Sequence, residues 1–201
     1  MTHPHDQYER AFRDKGYRFI AGLDEAGRGC LAGPVAAAAV ILGDWRHPEI
    51  NDSKKLSPKK RETLYAEICS RALAWAVGVV EAETIDAINI LQASRLAMRQ
   101  AVHALSPEPD AVLVDALTLD IAQPQEALVH GDAVSISIAA ASIIAKVTRD
   151  RMMAEYEAKF PGYGFARHKG YGTELHLEAL ERLGPCALHR KTFTPLHKWV
   201  Q

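Results

Sequence analysis

Cysteine is scarce in this 201-residue chain, and the three present, Cys30, Cys69 and Cys186, stand far apart. That spacing excludes the close pairs of a zinc ribbon or a thiol redox motif and leaves buried thiols as the expectation. Long apolar runs are missing too. No stretch reaches the ~18 uncharged apolar residues of a membrane span. Met1 to Arg18 is polar and lacks the apolar core and small-residue cleavage site of a secretory leader. A cytoplasmic protein with no membrane partner is therefore expected. Internal repeats and low-complexity segments are also lacking. Net charge is nearly absent: the formal total of −1 gives by itself no hint of a nucleic-acid partner. Its distribution says more. From Ser135 to Gln201 ten Lys or Arg face six Asp or Glu, so this end carries +4 and the remainder −5. The split suits phosphate binding at one end and metal binding at the other, and suits chance equally well. What the chain does have, at 48% hydrophobic and 24% charged residues, is material for one substantial core and a small appended lobe.

The chemistry concentrates between Phe19 and Pro34. Phe19, Ile20 and Leu23 predict a short buried strand, because the run is apolar, too brief for a helix, and closed by turn residues. Asp24 and Glu25 follow, aimed at one spot. Adjacent acids at a strand end repel each other, so a fold that keeps them there neutralises them with divalent cations. Oxygen-only ligands suit magnesium or manganese. Gly27, Gly29 and Gly33 then let the backbone pass close to a ligand. In isolation these residues allow two other readings. One is a solvated acidic turn. The other is a dinucleotide loop, since Gly27-x-Gly29 with Gly33 approaches the fingerprint that cradles pyrophosphate. Its third glycine comes one residue late, however, and two anions stand where pyrophosphate would be repelled without an intervening metal.

Beyond this stretch, Val35 to Leu42 predicts a strand returning antiparallel from the glycine turn. A loop follows with Asp52, Ser53, Lys54 and Lys55. Ser57 and Pro58 read as an N-cap and first helical residue of a helix to about Ser70. Ala72 to Val80 is a third strand, and Glu83 to Leu105 has apolar residues at helical spacing. Ala111 to Val114 is a fully apolar strand ending in Asp115, the layout that closed the first strand. Ala127 to Val129 is a further strand candidate, ending at Gly131-Asp132 ahead of a long helix from about Ser135 to Lys159. Lys146 interrupts the apolar half of that helix, one turn after Ser142 and one turn before Asp150. It must snorkel, pair with Asp150, or meet a phosphate. Pro161 to Thr173 reads as a glycine-rich basic loop, and a last helix stops at Gly184-Pro185.

Taken together, Asp24-Glu25-Ala26-Gly27-Arg28-Gly29, Asp52-Ser53-Lys54-Lys55-Leu56-Ser57, Asp115-Ala116-Leu117 and Ala141-Ser142-Ile143-Ile144-Ala145-Lys146 resemble ribonuclease HII, the type 2 ribonuclease H. The likeness continues through Phe160-Pro161-Gly162-Tyr163-Gly164, His168-Lys169-Gly170-Tyr171 and His189-Arg190, so it runs from Phe19 to about Pro195. Thr192 stands where the family commonly has Ser. The resemblance implies an α/β protein of the ribonuclease H-like fold: a five-stranded mixed sheet flanked by helices, with a helical C-terminal lobe from about residue 160 to 201 and a polar tail over residues 1–18.

It also implies an activity, hydrolysis of the RNA strand of RNA/DNA hybrids. A second implied cut lies 5′ of a ribonucleotide embedded in duplex DNA, leaving 3′-hydroxyl and 5′-phosphate ends. Asp24, Glu25, Asp115 and Asp132 would be the catalytic carboxylates, holding Mn2+ or Mg2+ in a two-metal arrangement. Metals held this way can activate a water, stabilise the transition state and support the leaving oxygen. Backbone groups of Gly27, Arg28 and Gly29 would meet the 2′-hydroxyl, and Tyr171 would bond it and lay its ring on the next deoxyribose. Lys54, Lys55, Ser142 and Lys146, with Arg28, are the phosphate-contact candidates. His168, His176 and His189 receive no catalytic role. The partners expected are hybrid and ribonucleotide-containing duplex, for a monomer that a clamp protein can recruit. Two rivals remain at this point, a non-catalytic nucleic-acid-binding module and a metal-dependent nuclease of other specificity.

Overall fold

A computed structural model describes residues 3–199 of the chain, so the outermost residues of the expected tail and lobe, 1–2 and 200–201, lie outside the described residues. Five strands form one mixed sheet: β1 (Ile20–Ala26), β2 (Val35–Ile41), β3 (Ala74–Val80), β4 (Ala111–Asp115) and β5 (Gln125–Leu128). Their order is β3-β2-β1-β4-β5. β1 to β3 form an antiparallel meander, while β4 runs parallel to β1 and β5 parallel to β4. Among the described residues the α-helices are α1 (Gln7–Asp14), α2 (Pro58–Arg71), α3 (Ala82–His103), α4 (Gly131–Val134), α5 (Ile136–Lys159), α6 (Phe165–His168) and α7 (Glu174–Leu183).

The continuous apolar run of β2 is explained by burial on both faces. Ala37, Ala39 and Ile41 pack toward α3, and Ala38 and Val40 pack toward α5 and α2. α5 crosses β1 at very close range. A Cβ placed on Gly22 would stand 2.1 Å from the Ser137 carbonyl carbon, so only glycine admits the helix there. This brings the first turns of α5 over the strand that carries the first two acids.

β1 continues through both acids to Ala26 rather than stopping before them. Pairing of Leu23 with Val114 makes Asp24 and Asp115 emerge side by side from parallel neighbours. Ser57 caps α2 as expected, its side chain accepting from Lys60 N–H. Other expectations are corrected. The segment read as a polar tail carries α1, docked through buried Glu9 and Phe12. The helix after β3 is broken at Asn89 (φ 65°, ψ 164°), whose side chain accepts from the Leu91 and Gln92 amides and so caps the second half. β5 stops at Leu128, leaving Val129 76% exposed. The glycine-rich loop contains the single turn α6.

Candidate active site

The acids gather at the C-terminal edge of β1 and β4. The pleat turns Asp24 and Glu25 to opposite faces, yet both line one pocket of about 210 Å3 at the sheet edge, with Gly27, Arg28, Gly29, Ser53, Lys54, Lys146 and Tyr171. Asp24 Oδ1 accepts the Glu25 amide at 2.7 Å. Glu25 Oε1 accepts from Arg28 Nη1 at 3.1 Å, while Glu25 Oε2 is buried with no hydrogen-bond partner. Asp115 Oδ1 accepts the Gly131 amide at 2.7 Å, which ties the strand-end acid to the turn that carries Asp132. That turn begins at His130 in the left-handed region (φ 54°). Asp132 Oδ2 lies 3.5 Å from Lys54 Nζ.

Electrostatics marks these acids as a set. Burial, then the charges of Glu25, Asp115 and Asp132, raise the Asp24 carboxyl well above the usual range. Burial raises Glu25 as well, against the pull of Arg28. Asp132 is raised by burial and by Asp52, with Lys54 opposing. Burial works against the charge on Lys54, but the carboxylates of Asp132, Asp24 and Asp52 outweigh it and raise its pKa. Each acid is thus poorly compensated by protein cations alone. Among the described residues no three His, Cys, Asp or Glu side chains enclose an ion by themselves. An open arrangement of this kind fits magnesium or manganese, which keep several waters and share their coordination with substrate phosphates. The donor set is hard oxygen throughout, and the orphaned Glu25 Oε2 is an unused ligand atom, so the residues present fit such an ion.

The proposed substrate contacts are found in several settings. Asp52 Oδ1 accepts the Lys54 amide at 2.9 Å and shapes the loop that presents Lys54. Lys55 is exposed on the same turn and does not line the pocket. Ser142, expected at the phosphate surface, is only 3% exposed. Its hydroxyl accepts the Ser53 amide at 3.2 Å and donates to the Ala139 carbonyl at 2.8 Å, so it holds the lysine loop against α5. Lys146 makes the ion pair foreseen as the rival to a phosphate contact, 2.7 Å from Asp150 Oδ1, and its ammonium also stands 5.6 Å from the centre of the Tyr171 ring. Tyr171 is 42% exposed at the pocket mouth. The histidines assigned no role form a buried stack in the C-terminal lobe, with His168 and His176 centroids 4.2 Å apart. Given no role in the sequence reading were Arg149 and Arg190, fully buried behind the glycine turn. Arg149 lies one turn beyond Lys146 on the same helix, and Arg190 lies within the His-Arg pair of the resemblance. Either position was a visible signal.

A sequence model of the ribonuclease HII family matches residues 21–197. The ribonuclease HII of Enterococcus faecalis is 56% identical over 195 residues, covering 96% of this chain and 76% of that protein. Among solved structures, the ribonuclease H2 of Pyrococcus horikoshii superposes with a TM-score of 0.74 at 26% identity, covering 89% of this chain and 95% of that one. The ribonuclease HII of Archaeoglobus fulgidus, solved in complex with PCNA, gives a TM-score of 0.72 at 28% identity over 87% of this chain and 95% of that one.

Proposed function

The chain belongs to the ribonuclease HII family, and from that premise we propose that its acidic cleft is where the phosphodiester 5′ of a ribonucleotide is hydrolysed. The enzyme is a ribonuclease H, an endonuclease that degrades the RNA strand of RNA/DNA hybrids. The finer reading adds single ribonucleotides embedded in duplex DNA, 3′-hydroxyl and 5′-phosphate products, and a role in ribonucleotide removal during DNA repair and replication. The observation that carries the assignment of the cleft is the unpartnered, buried Glu25 Oε2 within a group of four carboxylates.

Asp24, Glu25, Asp115 and Asp132 would hold Mg2+ or Mn2+. Such ions, when bound, neutralise the phosphodiester and activate the attacking water. The protein's own groups do the rest. Arg28, paired with Glu25 at 3.1 Å, is placed to share its guanidinium with a phosphate beside the metals. Lys54 and Lys146 are held by Asp132 and Asp150 until a phosphate competes for them. Lys55 stands outside the pocket, where it reaches a flanking phosphate instead. Ser142 acts at one remove by fixing the lysine loop. A Cβ on Gly29 would meet nothing within 4 Å, so a ligand has room to approach that backbone. The exposed Tyr171 ring supplies a flat surface for the sugar beyond. We propose a monomer acting on the duplex. A sliding clamp is a candidate recruiter, on the precedent of the Archaeoglobus fulgidus protein solved with PCNA.

Hydrolysis of a labelled RNA/DNA hybrid in chelator, in Mg2+ and in Mn2+, together with calorimetric titration of each ion into wild type and Asp24→Asn, tests the cleft assignment. Ion-dependent cleavage and ion binding, both lost in the variant, are expected. Cleavage undiminished in chelator, or wild-type ion binding by Asp24→Asn, would contradict it.

A further inference from the structure

Two arginines with no carboxylate partner among the described residues lie behind the ribonucleotide-facing surface. Arg149 and Arg190 are both 0% exposed. Burying a guanidinium strips its hydration, a loss that must be offset by an ion pair or by a full set of hydrogen bonds. Here every bond goes to a backbone carbonyl. Arg149, reaching from α5, donates through Nε to Pro34 at 2.8 Å, through Nη2 to Ala32 at 3.0 Å and through Nη1 to Lys169 at 2.8 Å. Arg190 donates through Nε and Nη2 to Gly33 at 3.0 and 2.9 Å, and through Nη1 to Arg28 at 2.8 Å. Burial, with Arg149 nearby, lowers the Arg190 pKa to about 10, so the group stays cationic at neutral pH.

The two forks therefore grip the turn that follows β1 at residues 28, 32, 33 and 34, and Arg149 grips the loop before Tyr171 as well. Backbone bonds knit the same pieces together: the Leu31 amide donates to Gly170 at 2.8 Å, and the Arg190 amide donates to Leu31 at 2.9 Å. There is no slack between them. A Cβ on Gly27 would fall 2.0 Å from Arg149 Nε, and one on Gly170 would fall 2.3 Å from the Ala32 carbonyl oxygen.

We propose that Arg149 and Arg190 are positioning residues for ribonucleotide selectivity. Their buried guanidinium forks hold the Gly27–Gly29 turn and the Lys169–Tyr171 segment as one unit, so the backbone groups and the ring that meet the 2′-hydroxyl keep a fixed separation. The proposal rests on the reading that these two features contact the ribonucleotide. Lysine cannot take over the task, because one compact ammonium lacks the planar fork that spans carbonyls on different segments. Displacing recognition groups by about 1 Å can lower turnover on the order of a hundredfold. That loss should weigh most on a substrate with only one ribonucleotide to read.

The experiment measures kcat/KM on a duplex with a single ribonucleotide and on an all-RNA/DNA hybrid, for wild type, Arg149→Lys and Arg190→Lys, with thermal melts alongside. The ratio of single-site to hybrid cleavage should fall about tenfold or more in both variants. A merely structural role would lower both activities together, in step with the folded fraction, and would overturn the proposal. A wild type unable to cut at the lone ribonucleotide would overturn the underlying reading instead. Hydrogen exchange on the wild-type protein gives an arm that needs no variant to fold. The amides of Leu31, Gly33 and Tyr171 should open as one cooperative unit, and independent opening of Tyr171 would count against the clamp.

Discussion

Asp24 occupies a position where burial and three neighbouring carboxylates all oppose its ionisation. A residue placed so unfavourably gains most from a cation and is missed most when neutralised. Asp24→Asn and Asp115→Asn should therefore lose activity almost entirely at saturating Mg2+; wild-type turnover in either would show that they are not ligands. Asp132 differs, since Lys54 already compensates it in part at 3.5 Å. Asp132→Asn should abolish turnover while hybrid affinity, read by calorimetry, stays largely intact, and loss of affinity as well would refute that separation. For Lys54, neutralisation should lower the salt slope of binding by roughly one counterion unit; an unchanged slope would remove it from the footprint. At this scale the closeness of Asp24, Glu25 and Asp115 was legible because each lies in the last residues of an apolar strand, whereas Asp132 sits in the turn of α4 beyond β5. The pairing of Lys146 with Asp150 was legible as an i, i+4 alternative. The bond of Ser142 to the Ser53 amide was not legible, because a serine near basic residues looks the same whether it faces phosphate or an amide. The positions of Arg149 and Arg190 were visible, one turn beyond Lys146 and within the His189-Arg190 pair, but their role was not, since their partners are carbonyls, which every residue has.

Among the elements, the first helix departs furthest from expectation. A polar segment with no long apolar stripe gives little sign of docking, yet Glu9 is 3% exposed. Its Oε1 accepts from the Ser135 hydroxyl at 2.6 Å and from the Ser137 amide at 3.0 Å. Backbone bonds from His5 to Val134 and from Ile136 to His5 complete a strap across the turn after Asp132. A carboxylate there also complements the positive N-terminus of α5. Glu9→Ala should lower stability by about 1–3 kcal/mol, the penalty for leaving buried donors unpaired, as read from urea unfolding; a change within error would mean that the strap contributes nothing. The break at Asn89 was equally hidden, because apolar spacing persists across it. The α5–β1 crossing, by contrast, depends on a glycine that the sequence displays without explaining. Gly22→Ala should cost about 3 kcal/mol or more through overpacking.

For the whole molecule, the succession of strands and helices was legible in the apolar runs, while the five-stranded mixed sheet with flanking helices was implied by the resemblance and is the arrangement found. What the chain order could not convey is the histidine stack that fills the lobe. Burial lowers His176 and His189 to about 4 each, and their Nε2 atoms lie 3.0 Å apart. A histidine whose folded pKa is depressed binds fewer protons than the unfolded chain between about 4 and 6.5. Its stabilising effect is thus whole above pH 6.5 and lost as pH falls toward 4. Proton NMR should show both rings still neutral at pH 5; titration near 6.5 would contradict the burial argument.

On the proposed reading the carboxylate cleft cuts beside a ribonucleotide by ion-dependent hydrolysis, with selectivity set by the Gly27–Gly29 turn and Tyr171. The most direct test is a 5′-labelled DNA duplex carrying one ribonucleotide, incubated with the enzyme in Mg2+, its products mapped for position and end chemistry. One cut on the 5′ side of the ribonucleotide is expected, with a 3′-hydroxyl on the labelled fragment and no cleavage of an all-DNA duplex or in chelator. A cut on the 3′ side, a cyclic phosphate end, or cleavage that survives the chelator would contradict it.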